Sequence, residues 1–258
     1  MSNKNNNKVS YYHTVFGRPA RLKRFFMNLF LSLSYLFRVP IEVITRKDFG
    51  DRYFNILLSI LIGVFFIAAP LFLCRGFGSP NTELISKYFG TWYVYTALYL
   101  YSVYQRYREV LALPSIWDVP MFTWSEGKPI PALLKIKIGN DYPTTKTMSL
   151  LIEPGIFFIA GVILTFMKQP IGLIFIICAL IYSLGYMASY YLATDFMKDK
   201  GDEIICNEEL SEFFLNGKHT EKGFDYDGPV PKDPKMRERM LREMLGGDAE
   251  DIDFEEVK

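Results

Sequence analysis

The chain is poor in the residues that usually carry chemistry. It has two histidines, His13 and His219, both in polar surroundings. A histidine-based site at the centre of the molecule is therefore not expected. Its three cysteines, Cys74, Cys178 and Cys206, stand apart from one another and from histidine. No CxxC pair or Cys/His cluster signals zinc, and disulfide pairing within one chain is not expected. There is no phosphate-binding glycine loop, no HExxH helix and no pair of acids inside an apolar run. The sequence thus predicts no catalytic residue, no metal and no cofactor. Acidic residues are nearly missing from the apolar stretches, where Glu153 stands alone.

What the chain has in quantity is apolar length. Four runs, Ile56–Leu73, Tyr88–Tyr104, Leu150–Met167 and Ile171–Ala193, form two close pairs. About 20 apolar residues suffice for a helix to cross roughly 30 Å of hydrocarbon. The bilayer interior offers no water to backbone groups, so such runs must be helical. The expectation is an all-α, polytopic membrane protein with four transmembrane helices in two hairpins. A mean hydropathy of only +0.11 implies that a polar remainder accompanies the spans. Charge shows where it lies: residues 1–194 hold 19 Lys+Arg and 9 Asp+Glu, whereas residues 195–258 hold 10 and 19. The net +1 conceals a basic body joined to an acidic tail.

Charge also predicts orientation. Ten basic residues lie in 1–55, and the stretch after the second run carries Arg106, Arg108, Lys128, Lys135, Lys137 and Lys146. The two short connections within the pairs are sparsely charged, with Arg75 and Lys87 in one and Lys168 in the other. Basic loops stay cytoplasmic, which places both termini and the 109–148 loop there. The domains expected are a basic N-terminus (1–54), a first hairpin (55–108), a cytosolic loop (109–148), a second hairpin (149–195) and an acidic tail (196–258). Anionic lipid at the cytosolic face accounts for the basic N-terminus more economically than nucleic acid does.

Three segments are less regular. Phe25–Phe37 is too short to span, with Arg24, Asn28, Ser32 and Tyr35 on one stripe. It reads as an interfacial amphipathic helix over about 24–38. Glu153-Pro154 interrupts the third run: either a helix begins near Thr147 and tolerates the proline, or Pro154 opens a short, partly inserted helix. Glu153 is an interfacial helix start or a buried acid, and a buried acid would be functional. In the central loop Trp117, Met121 and Trp124 dip into the headgroups or fold back. The alternation Leu134–Ile138 suggests a short strand.

Two features point to interactions. Gly185, Ser189 and Ala193 form a small-residue ridge at spacing four, suited to close helix approach within the chain or between copies. Asp233-Pro234 looks like a capped helix start, and a helix over about 234–245 puts Met236, Met240 and Met244 on one stripe beside Leu241 and Leu245. Methionine-rich faces adapt to partners. The leading expectation is a non-enzymatic membrane subunit or scaffold with a protein partner or a second copy of itself, and no small-molecule substrate. A secretion or DNA-transfer apparatus would suit such a layout, by analogy alone. The alternatives are a small oligomeric transporter or channel built around Glu153, and a lipid-acting enzyme using Glu153, Asp195 and the central loop.

Overall fold

The computed structural model describes residues 11–76, 82–114, 119, 122–135 and 142–245; within its helices the side chains of 17–21, 75–76, 82–87 and 245 are not described. The described residues are mostly helical, with few in strands. The principal elements are α1 (Tyr11–Val15), α2 (Gly17–Thr45), β1 (Arg46–Lys47), α3 (Ile56–Gly76), α4 (Thr82–Leu111), β2 (Lys128–Pro129), α5 (Pro131–Leu134), α6 (Thr145–Thr147), α7 (Glu153–Phe166), α8 (Ile171–Asn216) and α9 (Pro234–Leu245). They build two compact units, Leu29–Ser189 and Met1–Asn28 with Tyr190–Lys258.

Among the described residues four helices are long and apolar enough to cross a membrane: Leu22–Thr45, Ile56–Cys74, Thr145–Phe166 and Ile171–Asn216. They are not quite the expected four. Leu22–Thr45 takes the place of Tyr88–Tyr104, whose tyrosines lower the apolar character of α4. The interfacial helix expected over 24–38 is part of the 29-residue α2, which continues through Arg38 and Pro40. Its charges do not end it, because Arg38 and Glu42 satisfy each other one turn apart at 2.8 Å. The fourth run does not stop near Asp195 either. α8 has 46 residues, about 69 Å at 1.5 Å per residue, and ends at Gly217, whose φ of +63° suits a helix C-terminus.

The Leu29–Ser189 unit combines an apolar exterior with a mostly apolar core that also encloses charges. Large apolar side chains such as Leu61, Phe65, Phe72, Ile159, Phe166 and Leu173 face outward, while Arg38, Glu42, Arg46 and Glu153 are buried. Such a surface is what hydrocarbon solvates. Contacts between α3 and α4 run in opposite senses along the two helices: Tyr99 OH donates to Ser59 O at 2.9 Å and Trp92 Nε1 to Phe66 O at 2.7 Å. α7 and α8 approach closely at Gly161 and Gly172. A Cβ on Gly161 would lie 2.8 Å from the Gly172 carbonyl, and one on Gly172 would lie 2.5 Å from the Gly161 carbonyl.

Helix prolines leave a carbonyl without its usual amide donor four residues earlier. Pro70 frees the Phe66 carbonyl, which accepts the Trp92 indole. Pro154 frees the Leu150 carbonyl, which accepts Ser183 Oγ of α8 at 2.8 Å. Thr144 caps the start of the third apolar helix by accepting from Thr147 N at 3.2 Å. A π-helical turn over Met148–Ile152 then joins α6 to α7. The proline is therefore carried inside one helix that begins at Thr145, close to the first of the two alternatives.

In the other unit, Leu210 and Phe214 of α8 pack on Leu241 of α9, with Tyr11, Tyr226 and Val230 around them. The basic start of α2 is paired with the acidic part of α8: Lys23 Nζ lies 3.0 Å from Asp195, and Arg24 bonds to Asp199. Tyr12 OH also donates to Asp199, at 3.0 Å. Burial, followed by that hydrogen bond, pushes the Tyr12 hydroxyl up to about 12.

Candidate functional site

Residues 38, 42 and 46 are spaced by four, so Arg38 and Glu42 share one face of α2 and Arg46 follows where the helix gives way to β1. The β1–β2 pairing sets Arg46 opposite Pro129 and Lys47 opposite Lys128. It continues beyond the strands, where Gly50 N donates to Ser125 O at 3.0 Å and Arg52 N to Thr123 O at 3.1 Å. This pairing brings Glu126 to the same place. The π-turn and α7 supply Ser149 and Glu153, and α8 supplies Tyr182 and Tyr186.

These side chains form one buried ionic network. The Arg46 guanidinium grips Glu153, with Nε at 3.1 and 3.0 Å from the two carboxylate oxygens and Nη2 at 2.7 Å from Oε2. Nη2 also donates to Ser149 Oγ at 2.7 Å, and Nη1 donates to Tyr186 OH. Tyr182 OH donates to Glu153 Oε2. Tyr186 OH in turn donates to Glu42 Oε1 at 3.1 Å, which links the two ion pairs. Arg38 donates to Glu42 through Nε and, through Nη2, to Tyr53 OH at 3.0 Å; Tyr53 OH donates to Glu42 Oε2 at 2.8 Å. Burial, and then the Glu42 charge, holds the Tyr53 hydroxyl well above its ordinary range, so it stays a donor. Both guanidinium carbons lie near the Tyr186 ring, at 3.9 Å for Arg38 and 4.6 Å for Arg46.

The two buried cations are matched by two buried carboxylates, and every oxygen of Glu42 and Glu153 has a donor. Glu126, whose side chain is 39% exposed, approaches Arg38 at 3.4 Å and Arg46 at 4.0 Å. Removing charges from water costs several kcal/mol per ion, an outlay that only such complete pairing offsets. Chemically the arrangement fixes α2, α7, α8 and the β1–β2 loops to one another. Both internal acids are engaged, Glu42 by Arg38 and Glu153 by Arg46.

The structure places the sequence-derived residues as follows. Glu153 is fully buried and paired with Arg46, a partner that sequence reasoning counted only among the basic flanks. The i,i+4 series Arg38, Glu42, Arg46 was the available signal. Asp195 is bonded to Lys23, so each of the two acids suggested for a lipid-acting site has its own cation. Gly185 is buried against α2 rather than α7, with Ser34 Oγ 2.9 Å and Arg38 Cδ 3.2 Å from a Cβ built on it. Ser189 Oγ donates to the Gly185 carbonyl at 3.1 Å, and Ala193 is exposed. In α9, Asp233 caps the helix start through Lys235 N at 3.1 Å. Leu241 is the buried anchor and Met244 packs partly beside it, whereas Met236 and Met240 remain 48% and 36% exposed. The Leu245 side chain, Trp117, Met121, 136–138 and the acidic end 246–258 lie outside the described residues. Leu134 ends α5 and is not in a strand. Trp124 is exposed, with the Arg52 guanidinium 5.5 Å from its ring.

Compared with protein-family models, curated proteins and solved structures, the chain matches none of them.

Proposed function

We propose that this protein is a non-enzymatic integral membrane subunit that anchors an assembly and presents its tail to a protein partner. The α3–α4 and α7–α8 pairs sit in the bilayer as two hairpins, with both termini and the central loop cytoplasmic, as the basic loops indicate. The observation that carries the reading is the buried network in the Leu29–Ser189 unit in which Arg38 pairs with Glu42 and Arg46 with Glu153. Ionisable groups at membrane depth that serve transport or catalysis need a proton or ion to exchange. Here Glu42 and Glu153 are each held by an arginine and by tyrosine hydroxyls, the arrangement of a lock. The tail supplies the interaction face. α9 is anchored through Leu241, and Met236, Arg239, Met240, Glu243 and Met244 line a shallow groove on it.

The test uses the full-length protein in its native membranes. After mild detergent extraction the wild type is expected to migrate as a complex larger than the lone chain. Met236→Glu combined with Met240→Glu is expected to abolish that complex while leaving the thermal unfolding profile within about 0.5 kcal/mol, since both side chains are exposed. A wild-type protein that extracts only as a solitary chain contradicts the proposal.

A further inference from the structure

The loop that follows α8 gathers a set of metal-ligating atoms that the membrane reading does not use. Glu209, on the distal part of α8, is fully buried. Its Oε2 accepts from Thr220 N and Thr220 Oγ1, both at 2.8 Å, and its Oε1 accepts from Tyr226 N at 3.2 Å. Those three bonds fold the loop back over the helix. They bring His219 Nδ1 to 2.6 Å from Glu209 Oε1, with Asp225 Oδ1 3.9 Å from the same nitrogen. One ligand atom from each residue lies within 4.8 Å of the other two. The imidazole is also held from the side, stacked on Phe213 with ring centres 4.8 Å apart and 25° between the planes.

We propose that Glu209, His219 and Asp225 form a binding site for a first-row divalent transition metal. The cation takes the place of the hydrogen bond between His219 Nδ1 and Glu209 Oε1, the displaced proton passes to solvent, and the Asp225 carboxylate closes onto the ion. Metal–ligand bonds of about 2.0–2.2 Å set neighbouring ligand atoms about 3 Å apart. The Nδ1–Oε1 pair therefore opens by a few tenths of an ångström. Asp225, whose side chain is 63% exposed, has room to move inward. Glu209 needs no reorganisation, because backbone amides already orient it. One imidazole and two carboxylates suit Mn²⁺, Fe²⁺, Co²⁺, Ni²⁺ or Zn²⁺ better than Mg²⁺ or Ca²⁺, which prefer all-oxygen shells. With His219 and Asp225 at the surface, water completes the coordination, so the ion is exchangeable. The 195–258 region, with 19 acidic residues against 10 basic ones, adds a general attraction for cations. This inference is independent of the scaffold reading and stands or falls separately from it.

The experiment uses untagged, full-length protein in detergent, stripped with chelator, and titrates it calorimetrically with ZnCl₂ or CoCl₂ alone. One ion per chain is expected, with Mg²⁺ and Ca²⁺ at least about tenfold weaker. His219→Ala and Asp225→Asn are each expected to weaken binding about tenfold or more, whereas His13→Ala leaves it unchanged. The bound Co²⁺ should show visible absorption bands that change in His219→Ala, a readout that loop loosening without ligation does not produce. No uptake above the detergent control overturns the proposal. So does uptake of equal affinity in the His219 and Asp225 variants, which would put the ion elsewhere.

Discussion

Single residues in the buried network behave as parts of one neutral unit. Removing one charge leaves its partner stranded in a low-dielectric interior, whereas removing both leaves no unpaired charge. Glu153→Gln or Arg46→Met alone is therefore expected to destabilise the protein by about 3–5 kcal/mol. The double variant Arg46→Met, Glu153→Leu is expected to recover most of that loss. Thermal unfolding in detergent measures both. A double variant as unstable as the sum of the singles would show that the four charges do not act as paired units. Part of this was legible in sequence. Glu153 stood out as the lone acid in an apolar run. Arg46 did not, because a basic residue beside a span reads first as a topological signal. Its pairing depends on which helices meet, and no local pattern encodes that.

Elements are held together through the places where their own hydrogen bonding fails. Pro70 and Pro154 each release a carbonyl inside an apolar helix, and a side chain from a neighbouring helix answers each one. The account predicts a coupling. Ser183→Ala should cost about 0.5–2 kcal/mol in the native sequence, because the Leu150 carbonyl loses its donor. In a Pro154→Ala background, where the helix amide is restored, the same substitution should cost almost nothing. Equal costs in the two backgrounds, measured as a double-mutant cycle, would contradict it. The prolines were visible in sequence as interruptions, but Ser183 and Trp92 were not visible as their complements. That match depends on the longitudinal register between two helices, which in turn depends on contacts such as Gly161 against Gly172. Helix ends fared unevenly for the same reason. Asp233-Pro234 announced α9 because a cap is a local feature. Arg38 and Pro40 disguised the length of α2, and Asp195 that of α8; Arg38 is neutralised by Glu42 one turn along α2, and Asp195 by Lys23 from another helix. The His219 ligand set was likewise hidden, since its members lie ten and six residues apart and meet only when the loop turns back.

At the scale of the whole molecule, the decisive feature is that the Leu29–Ser189 unit turns large apolar side chains outward while enclosing the Arg38–Glu42 and Arg46–Glu153 pairs. In water that distribution would expose large contiguous apolar patches and promote aggregation; in a bilayer it is the stable arrangement, with the buried carboxylates of Glu42 and Glu153 satisfied internally. The central claim is therefore that lipid is the solvent of the Leu29–Ser189 unit. The most direct measurement is extraction of native membranes at alkaline pH in carbonate, followed by detergent. The account predicts that the full-length protein stays with the sedimented bilayer through the carbonate step and is released only by detergent. Release into the carbonate supernatant as a folded, monodisperse species would contradict it.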